Sequence, residues 1–96
     1  MFVVVSYDVK TENIAGKRRL RRVAKVCKDY GQRVQFSVFE CIVSPDEWVL
    51  LKSKLLAEIK PEEDSLRFYF LGSNWKQRVE HVGAKKTVDL EGPLII

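Results

Sequence analysis

The chain has 96 residues, with 17 Lys and Arg against 13 Asp and Glu and 46% hydrophobic residues. That makes one domain with a modest core, because a chain this short buries only about 60–65% of its unfolded surface. No apolar run approaches the roughly 18 residues of a membrane span, and a start too short and too poor in basic residues for a signal peptide points to the cytoplasm.

Residues 2–8 read as a strand, and its continuous rather than alternating apolar character suits a central strand covered on more than one side. A polar loop leads to a helix expected over 14–30, with Leu20, Val23, Ala24, Cys27 and Tyr30 as its apolar stripe. Arg18, Arg22 and Lys25 lie on the opposite face, and Gly31 is a good stop. Residues 16–33, GKRRLRRVAKVCKDYGQR, hold eight of the 17 Lys and Arg and one acid, Asp29. Positive charge concentrated in this way attracts polyanions; the plainer alternative is a solvated helix face.

In RVQFSVFECIV, Val34, Phe36 and Val38 share one strand phase, and Phe39, Cys41 and Val43 share the other. A phase change needs a bulge or a tight turn, so two short strands are expected near 33–37 and 39–43. SPDE then starts a helix: Ser44 caps, Pro45 suits the first position and Glu47 completes a capping box. This helix runs to about Ile59, with Trp48, Leu51, Leu55 and Ile59 facing the core. SLRFYFLG at 65–72 is a strand apolar in both phases, ended by Gly72. A short strand at 79–83 and an apolar ending (Leu90, Leu94, Ile95, Ile96) follow.

The order β-α-β-β-α-β is the split βαβ, or ferredoxin-like, α+β arrangement: a four-stranded antiparallel sheet with two helices on one face, in a single domain over 1–96. In that topology the fourth strand is an exposed apolar edge, and the other sheet face lacks cover. Residues 79–96 are expected to supply cover, on their own sheet or on a partner's. A homodimer with two sheets face to face and crossing tails follows.

Chemistry-bearing constellations are few. There is no H-E-x-x-H, C-x-x-C, P-loop or G-x-G-x-x-G. Cys27 and Cys41 fall in apolar patterns and read as small buried hydrophobes in a reducing compartment, rather than as a disulfide or metal pair. His81 reads as a partly exposed strand residue rather than a catalytic base. Asp8 stands out, because it ends the apolar first strand. One carboxylate does not make a magnesium site, which usually takes one or two carboxylates, waters and phosphate oxygens. A two-fold axis near the end of that strand would pair Asp8 with its symmetry mate. The alternative is that Asp8 caps a turn in the loop that follows. Lys17, Arg18 and Arg19, at the start of the basic helix, are expected near Asp8, where guanidiniums and helix amides hold phosphates. Metal-assisted phosphodiester hydrolysis is the chemistry that fits.

VVVSYDV, the KRRLRRVAK helix, QRVQFSVFEC and LRFYFL, in this order and spacing, resemble the Cas-two family of small CRISPR-associated adaptation proteins over nearly the whole chain. Gly92-Pro93 resembles the short-tailed branch found with some type I systems. The resemblance implies a ferredoxin-like homodimer in which Asp8 binds Mg2+ with its symmetry mate. It implies a metal-dependent endonuclease, some relatives acting on single-stranded RNA and some on double-stranded DNA. It also implies a complex in which the dimer bridges two Cas-one integrase dimers and holds DNA for spacer acquisition. Tyr7, Arg33 and Phe39 carry over as site candidates, Tyr7 beside Asp8 in catalysis and Phe39 at an interface. The helix arginines match the family less strictly, this basic run being denser than in many relatives.

Three functions therefore stand together. The first is a magnesium endonuclease on double-stranded DNA, with Lys17, Arg18, Arg19, Arg22 and Arg33 on phosphates. The second is a scaffold that positions DNA for the integrase. The third is a toxin-like ribonuclease. The aromatics Phe36 and Phe39 read as core or interface rather than as base-stacking platforms.

Overall fold

The computed structural model describes residues 1–71 and 79–84. In chain order come β1 (Phe2–Asp8), α1 (Ile14–Tyr30), β2 (Gly31–Gln35), β3 (Val38–Ile42), α2 (Pro45–Glu58), β4 (Ser65–Phe70) and β5 (Val79–Gly83). The strands form one sheet in the order β2-β3-β1-β4-β5, antiparallel at every pairing. The two helices share one face of it. This is the expected ferredoxin-like α+β fold with a fifth strand added. β4 is therefore not an edge, because β5 pairs along it from Ser65↔Gly83 to Tyr69↔Val79. The Lys52–Glu80 ion pair, 2.6 Å, ties β5 to α2. Gly72 and the ending from Leu90 to Ile96 lie outside the described residues.

β1 is central, between β3 and β4. Its odd residues Val3, Val5 and Tyr7 are buried with Val23, Cys27, Phe39, Leu51, Leu55 and Phe68 in the core under the helices. Its even residues Phe2, Val4 and Ser6 are half-buried, and Asp8 is exposed. A strand that reads as covered on both faces is thus covered on one among the described residues. Ile42 and Glu40 on β3 and Tyr69 and Arg67 on β4 share that open face with them, by the register with β1.

Local chemistry sets the ends. Asn13, the last residue of the polar loop, caps α1: its side chain accepts from the Gly16 N–H at 2.8 Å. Gly16 is buried, and a Cβ there would overlap the Lys10 carbonyl oxygen, so glycine lets the helix start lie against the loop from Asp8. Gly31 does end α1, but in extended backbone (φ −160°) rather than left-handed. What demands glycine there is the close approach of β3, since a Cβ would stand 2.5 Å from the Cys41 Sγ. The phase change in 33–43 is resolved twice over, by a bulge between Arg33 and Gln35 and by a two-residue turn at Phe36 and Ser37. The Ser44–Glu47 capping box forms as expected.

Candidate active site and nucleic-acid face

Asp8 ends β1 on the open face. Ser65 stands opposite it in the ladder and Ser6 pairs with Arg67, which places Arg67 diagonal to Asp8 on the same face. Diagonal neighbours lie about 7–8 Å apart, within reach of a long side chain. Arg67 is hidden in sequence inside the apolar strand LRFYF, and its place on the Asp8 face follows only from the β1–β4 register. The backbone around Asp8 is held from both sides, since the Tyr7 N–H donates to the Ser37 carbonyl at 3.0 Å on the side away from β4.

Tyr7 does not join Asp8. Successive strand side chains point to opposite faces, and Tyr7 is buried under the helices with its ring stacked on Phe39, centroids 6.2 Å apart. Arg33 lies over the same Phe39 ring at 5.2 Å. Burial pushes the Tyr7 hydroxyl above its ordinary value, and Arg33 offsets part of that. So Tyr7, Arg33 and Phe39 do come together, as a packed aromatic–cation stack on the helix side. Phe39 is fully buried in the core of its own chain, the first of the two places, core or interface, that its pattern leaves open. Phe36, by contrast, is 91% exposed at the hairpin tip rather than part of the core.

The basic helix divides into two sets. Lys17, Arg18, Arg21, Arg22, Lys25 and Lys28 are exposed. Arg19 is turned inward onto Asp64: Nε donates to Oδ2 at 2.8 Å and a second guanidinium nitrogen to Oδ1 at 3.3 Å. Asp64 is fully buried and also accepts from the Lys60 N–H at 2.9 Å and the Lys10 N–H at 3.1 Å. Burial pushes its carboxyl up, but Arg19 and the two amides outweigh that and hold it below the usual carboxylate range. Arg19 is thus occupied, and its expected place on phosphate is corrected. Nothing in KPEED marked Asp64 as the acid that turns inward.

α1 covers the face opposite the one Asp8 occupies. Its N-terminus lies at the Asp8 end, as Gly16 against Lys10 shows, but its exposed cations and Asp8 are on different sides of the sheet. His81 on β5 is half-buried opposite Arg67, with its Nε2 buried and without a hydrogen bond among the described residues. Burial first and Arg67 second hold its imidazole below the ordinary value. Among the described residues, no group of three His, Cys, Asp or Glu is placed to hold a metal ion, and no helix is long and apolar enough to cross a membrane.

A family model described as "CRISPR associated protein Cas2" matches residues 1–79. The chain is 69% identical over 96 residues to the "CRISPR-associated endoribonuclease Cas2" of Chlorobaculum tepidum, covering 100% of both chains. It is 56% identical over 95 residues to the "CRISPR-associated endonuclease Cas2" of Halalkalibacterium halodurans, covering 99% of each. The crystal structure of Streptococcus pyogenes Cas2 at pH 6.5 superposes with a TM-score of 0.71 at 60% identity, over 83% of this chain and 96% of that one. Similar in sequence along its length and in fold over most of it, the chain belongs to the CRISPR-associated Cas2 family.

Proposed function

We propose that this chain is a metal-dependent endonuclease acting in CRISPR spacer acquisition as a two-fold homodimer, with Asp8 of each copy facing the other across a magnesium ion. The observation that carries this reading is the position of Asp8: exposed, at the end of the central strand, on the sheet face that no described helix covers. Packing two such faces together removes Phe2, Val4, Ile42 and Tyr69 from water. Ile42 alone is 77% exposed in the single chain. An isologous contact near the end of β1 then pairs the two carboxylates.

One carboxylate per chain is too few for magnesium, but two, with waters and substrate phosphate oxygens, fit its usual oxygen shell. When bound, the ion polarises the phosphate and lowers the pKa of a bound water. Asp8 would hold the ion, and Arg67 supplies positive charge on the same face. Lys17, Arg18, Arg22 and Arg33 bind phosphates away from the reacting bond. Tyr7 and Phe39 pack the strand end from behind, and Arg19 does not touch substrate.

The relatives' names support phosphodiester hydrolysis, and the commoner of them, endoribonuclease, names RNA as the substrate of those proteins. Duplex DNA is the favoured substrate because Arg18, Arg22 and Lys25 make a straight row of about 10 Å along α1. A stiff duplex meets such a row with several phosphates at once, and each neutralised phosphate adds to binding. RNA is the alternative in the same assay.

A second reading is a DNA-binding scaffold that bridges Cas-one integrase dimers. Its support is the separation of the α1 cations from Asp8 by the thickness of the sheet, which lets DNA bind without reaching the carboxylate. Cleavage of linear duplex DNA and single-stranded RNA, in magnesium and in EDTA, by wild type and Asp8→Ala, separates the two. Cleavage that needs both magnesium and Asp8 supports the enzyme. DNA binding without cleavage by either protein supports the scaffold.

A further inference from the structure

We propose that Asp64 and Arg19 are a positioning pair for the Asp8 site, an inference that rests on the nuclease reading above. The Asp64 carboxylate is fully buried and gathers three parts of the chain: Arg19 of α1, the Lys10 N–H two residues after Asp8, and the Lys60 N–H after α2. Its backbone carbonyl takes a fourth, the Ala84 N–H just past β5, at 3.0 Å. Buried ion pairs add little stability over a well-packed apolar pair, so the question is what this one fixes. Ser65, the next residue, stands opposite Asp8 in the ladder. Asp8 is therefore bracketed, by Ser65 across the sheet and by Lys10 along the chain, and both brackets end on Asp64. The same carboxylate anchors Arg19 one turn into α1, which sets where Lys17, Arg18 and Arg22 stand relative to the end of β1. Arg19 suits the task because its planar fork donates twice to one carboxylate.

The pair acts through Asp8 and touches neither substrate nor metal. Outer partners that orient metal ligands change metal affinity by about 10- to 100-fold. An indirect bracket belongs at the lower end, so Asp64→Asn should need about tenfold more magnesium. The test uses the full chain at a temperature where circular dichroism shows each variant folded. Magnesium is titrated alone, with the Asp8 and Ser65 amide resonances as readout. Duplex affinity and cleavage are measured beside it, and hydrogen exchange is followed at the Lys10 amide.

The expected result for Asp64→Asn is a weaker magnesium response, faster exchange at Lys10 and slower cleavage, with duplex affinity within about twofold of wild type, since the exposed cations are untouched. Arg19→Lys keeps the charge and loses the fork; it should shift the magnesium response the same way by less, and it carries the test if Asp64→Asn does not fold. A lower melting temperature with an unchanged magnesium titration overturns the proposal and leaves the pair purely structural. So does Arg19→Gln weakening duplex binding as much as Arg18→Gln while Asp64→Asn does not, since Arg19 would then be a phosphate ligand. If wild type itself shows no magnesium response at Asp8, the nuclease reading fails and this inference with it, an outcome distinct from failure of the pair alone.

Discussion

Replacing Gly16 with Ala sets two effects against each other. By helix propensity the change should stabilise α1 by about 1 kcal/mol. The packing reverses the sign. An alanine Cβ would overlap the Lys10 carbonyl oxygen, stand 3.0 Å from the Lys10 carbonyl carbon and 3.2 Å from the Thr11 Cα. All three are backbone atoms, so relief requires the helix start or the loop to move. Lys10 is also held to Asp64 through its N–H. Overpacking costs about 1–3 kcal/mol, and a clash with backbone rather than with a flexible side chain belongs in the upper part of that range, about 2–3 kcal/mol. The net effect is a destabilisation of about 1–2 kcal/mol once the propensity gain is subtracted. At 4–8 °C per kcal/mol for a chain of about this size, the Tm should fall by roughly 5–15 °C. Thermal melts followed by circular dichroism, at matched protein concentration, measure this directly. An unchanged or raised Tm would refute the reasoning, because propensity would then have outweighed the contact.

Three further predictions follow from burial and charge. Because the folded Asp64 carboxyl is held below its ordinary value, its stabilisation is fully present above the unfolded pKa of about 3.9 and is lost as pH falls through the lower folded value. The urea midpoint gap between wild type and Asp64→Asn should hold from neutral pH to about 5 and shrink below 4; a gap that widens in acid contradicts it. Phe39→Ala should cost about 3–5 kcal/mol of unfolding free energy, read by urea denaturation, whereas a folded variant that only dimerises less well would return Phe39 to an interface. Burial pushes the Cys27 thiol up to about 12 and Cys41 up to about 11. Both should react slowly with a thiol reagent near pH 8 when native and quickly in urea, and equal rates would refute their burial.

The elements were legible because each carries a local cause. The α1 stripe, the Ser44 capping box and the phase change at 33–43 are contained in neighbouring residues, and all three appear. Asn13 as a cap was equally local and was missed because the loop was read only as polar. What sequence could not supply was register. Whether Tyr7 and Asp8 work together depends on which face each takes, and one residue of alternation puts them on opposite sides of the sheet. Whether Arg19 meets phosphate depends on Asp64, 45 residues away and unremarkable among the acids of KPEED. Arg67 joins the Asp8 face only through its pairing with β1. The pattern leaves Phe39 between core and interface, and only burial puts it in the core. Charge density marks α1 as strongly basic, but not which of its arginines is already spent inside the protein.

The central claim, that two Asp8 carboxylates hold one ion, is tested most directly by mixed dimers. Wild-type and Asp8→Ala chains are co-expressed with different tags, in varied proportion, and magnesium-dependent cleavage is measured per total protein. If each site needs both carboxylates, only dimers with two wild-type chains cleave, and activity follows the square of the wild-type fraction, about one quarter at equal proportions for a randomly assorted two-fold dimer. Activity that follows the wild-type fraction linearly would mean that each chain carries a complete site and would contradict the shared ion.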